Sequence, residues 1–113
     1  LGSADIGPEG ERKLMGLSSA LRDISDTIPT DIDWVLQVSG HTDNLPINTP
    51  RFRDNWDLST ERAISVVRYL VLSGIDPNRL SATGFGQFQP IDTGTEPEAL
   101  ARNRRIEFKI TRR

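Results

Sequence analysis

At 113 residues with 35% hydrophobic side chains, the chain has material for one modest core and too little for a second domain. Its net charge of −2 and pI near 5.3 provide no overall field that would recruit nucleic acid. The lack of cysteine excludes a disulfide framework and a thiolate metal site.

Pro8 to Ile28 is predicted to be a helix, with Pro8 and Glu9 suited to its first turn. Leu14, Leu17, Leu21, Ile24 and Ile28 recur at spacings of three and four and define its apolar stripe. After a turn at "PTDID", Trp34 to His41 reads as a strand, with Trp34, Leu36 and Val38 on one face and Val35 on the other. Thr42 to Asp57 holds Pro46, Pro50 and several Asn and Asp without any period, which predicts a long loop of the kind that often carries function. Ser59 to Gly74 is the clearest helix: Ala63, Val66, Val67, Leu70 and Val71 keep a helical period, and Gly74 fits the position just past its end. Leu80 to Gly86 reads as a weaker strand and Glu96 to Asn103 as a short helix. Arg105 to Arg112 alternates strictly, predicting a strand with Ile106, Phe108 and Ile110 inward and Glu107, Lys109 and Thr111 outward. Such alternation of helices and strands favours an α/β layer structure, and "LGSAD" reads as the stub of an earlier strand.

No apolar run approaches the roughly 20 residues of a membrane span, and none of the residues given reads as a signal peptide. A chain starting at Leu1 rather than Met is expected to be a fragment or mature piece, with any targeting or anchoring segment outside it.

Chemistry is expected where the central strand ends in "GHTD", Gly40 to Asp43, because ligand sites gather at such strand ends. Gly40 lets another backbone approach closely. If Ser59 caps the following helix, Arg62 is its third residue, where a glutamate would close a capping box and suit the helix dipole. An arginine there has two readings. It forms a structural ion pair with Asp43, or the two form a zwitterion clamp. In the clamp, Arg62 offers a fork to a carboxylate, Asp43 accepts from an ammonium, and free N–H groups at the helix start add donors.

His41, the sole histidine, lacks the partners for a metal site or a nucleophile relay and is expected to hydrogen-bond to the sheet edge or loop. The basic runs "RNRR" and "TRR" read as solvated faces. Trp56 is either a sugar-stacking ring or, more often for a loop tryptophan, an anchor of its loop.

"GHTD", "NWDLSTERA", "VVRYL", "GIDPNRLSATGFG", "QP" and "ARNRRIEF", in that order over residues 40 to 108, resemble the OmpA-like C-terminal domain. The connection "NLPINTPRFRDNWD" is longer than in many of these domains and is similar to the MotB branch, the peptidoglycan-anchoring part of the flagellar stator. The resemblance implies an α/β two-layer sandwich of βαβαβ type with its first strand truncated or absent. Residues 1–113 would form a single peptidoglycan-binding domain. It further implies a periplasmic protein that grips the diaminopimelate of the stem peptide without catalysis and without a cofactor. By motif match, Asp43 is the acidic partner and Arg62 the basic one; Asn55, Leu58 and Arg104 line the pocket, and Thr42 and Asn44 offer polar or backbone contacts. Weak single-site binding would make several copies meeting one polymer, a homodimer included, the route to stable anchoring. Membrane contact would come only through segments absent from this sequence, and nucleic acid is not an expected partner. Two alternatives stay open: a wall hydrolase using His41 and Asp43, and an interaction or dimerisation module with no wall ligand.

Overall fold

A computed structural model describes residues 7–113. The expected first-strand stub therefore lies outside the described residues. In chain order the elements are α1 (Gly7–Thr27), β1 (Trp34–Gly40), α2 (Asn55–Leu72), a 3-10 turn (Pro77–Arg79), β2 (Leu80–Gly84), α3 (Pro97–Asn103) and β3 (Ile106–Arg112). The strands form one sheet in the order β2-β1-β3, with β2 parallel and β3 antiparallel to β1. This is the expected α/β fold.

The core lies between the sheet and the helices. Leu14 and Leu21 of α1 meet Trp34, Leu36 and Val38 of β1 and Ala63, Val66 and Leu70 of α2. Period two on the strand and period 3.6 on the helices deliver these side chains to one layer. α2 ends in a Schellman motif: Ile75 N–H donates to Leu70 O and Gly74 N–H to Val71 O, both at 3.0 Å. Gly74 has φ +102°, which suits glycine at that position. Ile75 then enters the core beside Leu70.

Three expectations change. Ile24 is exposed, so the apolar stripe of α1 stops short of its predicted width. Phe108 and Ile110 are 37% and 44% exposed. Their register partners, Val38 and Leu36, place them on the helix-facing side. But α2 covers β1 and β2, so the outer strand β3 runs past the helical layer. Finally, α2 begins at Asn55, with Asp54 as N-cap accepting the Asp57 N–H, five residues before the cap expected at Ser59.

A second small cluster, Phe52 and Leu58 with Ile47 packed against them, fastens the long loop to α2. Phe52, not Trp56, is that loop's anchor: Phe52 is fully buried and Trp56 is half-exposed on the first turn of α2. Among the described residues no helix is long and apolar enough to cross a membrane.

Candidate functional site

The ends of the parallel strands and α2 approach closely at two glycines. A Cβ on Gly40 would sit 2.1 Å from the backbone oxygen of Ser59, and one on Gly84 would sit 2.1 Å from Thr60 Oγ1. Gly40 and Gly84 are register partners, so the two glycines form a flat seat for the helix. Ser59 completes the seat: its Oγ accepts the Gly86 N–H at 2.9 Å and donates to Trp56 O at 3.1 Å. With the backbones this close, the helix is held directly over the segment that leaves β1 at His41.

Thr42, Asp43, Asn55, Leu58, Arg62 and Arg104 line one open cleft of about 420 Å³, together with Leu45, Pro46, Ile47 and Thr49 of the loop. Asn44 is exposed and is not among the lining residues, unlike the other six positions singled out in the sequence. The four further loop residues were missed because they sit in an aperiodic stretch, where neither spacing nor burial pattern marks a lining position.

Asp43 is buried at the cleft wall. Its Oδ1 accepts the Leu45 N–H at 3.0 Å, and its Oδ2 accepts from Arg104 at 2.7 Å. Its backbone carbonyl accepts from Thr42 Oγ1 at 2.8 Å and from Asn55 Nδ2 at 3.4 Å. Asn55 Nδ2 also reaches Leu45 O at 3.1 Å and Gln87 Oε1 at 2.9 Å. The amide thus ties the start of α2 to the loop and fixes the aspartate. Asn103, just before Arg104, joins α3 to the preceding loop by accepting from Ile91 and Asp92 N–H and donating to Asp92 O. Arg102 and Arg105 are occupied elsewhere, by Asp92 and by Glu107. Of the basic run, only Arg104 turns into the cleft.

The Asp43–Arg62 ion pair foreseen as one alternative does not form; Arg104 takes the aspartate instead. Arg62 is the eighth residue of α2, not the third, so neither the capping box nor the helix-start dipole bears on it. The free helix-start donors expected beside it are displaced by the same shift, and the Asp57 N–H is already held by Asp54. Arg62 lies half-buried in the cleft without a hydrogen bond or ion pair to any described residue. Burial holds its guanidinium below the usual arginine value; the nearby Arg104 charge adds to this and Asp43 opposes it. One carboxylate and two guanidiniums leave the cleft with one positive charge in excess. Arg62 offers the cleft a guanidinium fork with no bond to a described residue, and Asp43 offers a carboxylate already oriented by the Leu45 N–H and Arg104.

His41 stands outside the cleft. Its ring is buried, stacks on Phe85 with centroids 5.1 Å apart, and leaves both nitrogens without a hydrogen-bond partner. Glu107 Oε1 lies 3.4 Å from Nε2 but out of alignment. The side-chain hydrogen bond expected of it is absent, and only its backbone N–H bonds, to Arg105 O at 2.9 Å. Among the described residues no group of acids and histidine could hold a metal ion.

A family model described as the OmpA family matches residues 1–104. Motility protein B of Bacillus subtilis is 33% identical over 90 residues, which are 79% of this chain and 34% of that protein. The peptidoglycan-associated lipoprotein of Pseudomonas aeruginosa is 35% identical over 107 residues, 95% of this chain and 56% of that one. The chain therefore spans between a third and just over half of these curated relatives. Among solved structures, the C-terminal domain of Helicobacter pylori MotB superposes with a TM-score of 0.84 at 25% identity, covering 96% of this chain and 78% of that one. The cell wall anchor of the T6SS from Pseudomonas aeruginosa gives 0.80 at 34% identity, covering 95% and 69%.

Proposed function

The chain belongs to the OmpA family, and on that premise we propose that residues 1–113 act as one non-enzymatic domain that binds peptidoglycan and tethers an envelope protein to the wall on the periplasmic side. Relatives named as a motility protein, a peptidoglycan-associated lipoprotein and a cell wall anchor support this reading. The ligand is the diaminopimelate of the stem peptide, whose side-chain end carries one carboxylate and one ammonium. The observation that carries the proposal is the unpaired Arg62 in the same cleft as the Arg104-oriented Asp43. A half-buried guanidinium with no partner among the described residues costs stability unless a ligand completes it. Arg62 takes the carboxylate, Asp43 the ammonium, and Leu58 with the loop side chains covers the methylene stem. Thr42 and Asn55 hold the geometry, and Asn44 does not line the cleft. His41 takes no part, because its ring is buried away from the cleft.

Co-sedimentation with insoluble peptidoglycan, competed by free diaminopimelate, tests the reading. Wild type should pellet and be released by the amino acid. Arg62→Ala should stay in solution while keeping its fold. Equal pelleting of the two proteins removes this cleft from consideration; failure of wild type to pellet at all removes the wall as the ligand.

A further inference from the structure

Next to the cleft lies a second feature that the zwitterion clamp does not use. Trp56 and Phe88 stack on each other with ring centroids 4.9 Å apart, yet they remain 49% and 57% exposed. Tryptophan is enriched at binding surfaces, and contiguous exposed apolar groups mark interaction sites more than single ones do. The pair is held from beneath. Gly86, at φ +62°, lies so close that a Cβ there would touch Phe88 at 3.4 Å and Trp56 at 3.5 Å. Gly86 is itself fixed by the bond from its N–H to Ser59 Oγ. The platform is thus preformed on α2 and on the loop after β2.

On its Trp56 side the pair borders a shallow hollow of about 520 Å³, lined by Arg51, Trp56, Asp57, Thr60 and Glu61, with Phe88 backing the indole from outside that lining. One indole face bordered by a guanidinium, a hydroxyl and two carboxylates (that of Asp57 also held by Arg53) matches the chemistry of a pyranose ring. Such a ring offers an apolar C–H face to the indole and equatorial hydroxyl and amide groups to a polar rim. The platform is also joined to the cleft. Asn55, which lines the cleft, donates to Gln87 Oε1 at 2.9 Å, and Gln87 sits between Gly86 and Phe88 in the chain. A polymer held by its peptide in the cleft therefore has its neighbouring groups beside these rings.

We propose that Trp56, backed by Phe88 and with the polar rim of Arg51, Asp57, Thr60 and Glu61, forms a saccharide subsite that stacks on an amino-sugar unit of the glycan strand. The site then reads two parts of one polymer: a zwitterionic head group in the cleft and a β-1,4-linked N-acetyl sugar on the platform. This rests on the wall-binding reading above, and the two are separable because the sugar has no charge for Arg62 and the amino acid has no ring face for Trp56.

The test uses chitotetraose, a soluble β-1,4-linked N-acetylglucosamine tetramer that carries no peptide. The chain holds two tryptophans, so its two indole N–H resonances report separately on exposed Trp56 and buried Trp34. Titration should move the Trp56 signal with a dissociation constant on the order of 1–10 mM, typical of a few weak contacts. The Trp34 signal should stay in place. The shift should survive in Arg62→Ala and vanish in Phe88→Ala. Trp56→Ala should lower retention on intact wall about 3–10-fold, as expected for losing one stacking contact, and Trp56→Tyr should restore much of it. A silent Trp56 signal at saturating sugar, with wall binding still dependent on Arg62, overturns the saccharide subsite and leaves the tether intact. A sugar-responsive Trp56 in a protein that ignores intact wall supports the subsite and sinks the tether. Movement of the Trp56 signal with protein concentration alone, and not with sugar, overturns the proposal in favour of a self-association face.

Discussion

Arg62 and His41 show how a residue's worth depends on whether it has a partner. The Arg62 guanidinium is half-buried, is held below its usual pKa by burial and Arg104, and has no bond to another described side chain. Removing such a group should not weaken the fold, which is the usual trade between stability and function. Arg62→Met is expected to unfold at the same urea concentration as wild type or higher, a gain of about 0–2 kcal/mol, while losing wall binding. A clear fall in the midpoint would mean that Arg62 has a structural role. His41 gives the opposite lesson. Burial pushes its pKa below 6.5; the Arg105 charge helps, and Glu107 pulls the other way. The unfolded chain then binds more protons than the folded one, so stability rises with pH. It is complete above the unfolded value near 6.5, and it falls as pH drops through that value toward the folded one. Between pH 7.5 and 5.5 wild type should lose stability with a slope of at most about 1.4 kcal/mol per pH unit. Glu107, lowered by Arg105, stays ionised throughout that window. His41→Phe, which can keep the stack on Phe85, should flatten the slope in urea melts across the window; an unchanged slope would assign the pH dependence to another group.

At the level of elements, the site depends on how closely α2 approaches the strand ends. Gly40→Ala puts a methyl 2.1 Å from the Ser59 carbonyl oxygen, a backbone atom that cannot rotate away. The helix must lift, and with it Asn55, Leu58 and Arg62. The expected loss is about 3 kcal/mol or more, accompanied by loss of wall binding. Gly16→Ala on α1 is the control: nothing lies within 4 Å of the added methyl, and helix propensity alone should stabilise by about 0.5–1 kcal/mol. Denaturation midpoints of the two variants should therefore move in opposite directions. The same helix marks how far the sequence was legible. Its period, its Gly74 end and the alternation of β1 and β3 were readable because each is a local pattern. Its start was not: Ser59 has a cap's chemistry, but the helix begins at Asn55 behind Asp54, where Phe52 and Leu58 pack together, a contact with no local signature. Asp43 was readable as a cleft residue because it sits just past the end of a periodic strand; Arg62 was reached by motif match and from a helix start that the structure moves upstream. The pairing of Asp43 with Arg104 spans 61 residues and depends on β3 returning beside β1, which no spacing reveals. Trp56 was misplaced for a related reason, since a helix that starts earlier moves it from a loop to an exposed first turn.

For the whole molecule, on the proposed reading one cleft of about 420 Å³ takes one amino-acid head group, which sets an upper limit on what a single copy can do. Small ligands in open, polar clefts bind weakly, because much of the contact energy offsets lost freedom and desolvation. A load-bearing tether needs more, and a polymer that repeats its stem peptides offers it through copy number. Two domains joined by a flexible linker long enough to span neighbouring stems should hold insoluble wall about 100-fold or more tightly than one, without any new contact. The gain depends on both clefts, so Arg62→Ala in one half should return retention to the level of the single domain, and in both halves should abolish it. Salt should weaken the single domain only moderately, because Asp43 is buried and Arg62 half-buried, and such charges are screened less than surface ones. Sedimentation of the single, double and mixed proteins over a range of wall concentrations checks all of this. If the tandem binds no better than one domain with a linker of adequate reach, the strength of the tether comes from contacts within a single copy, and the cleft is not the unit that repeats along the wall.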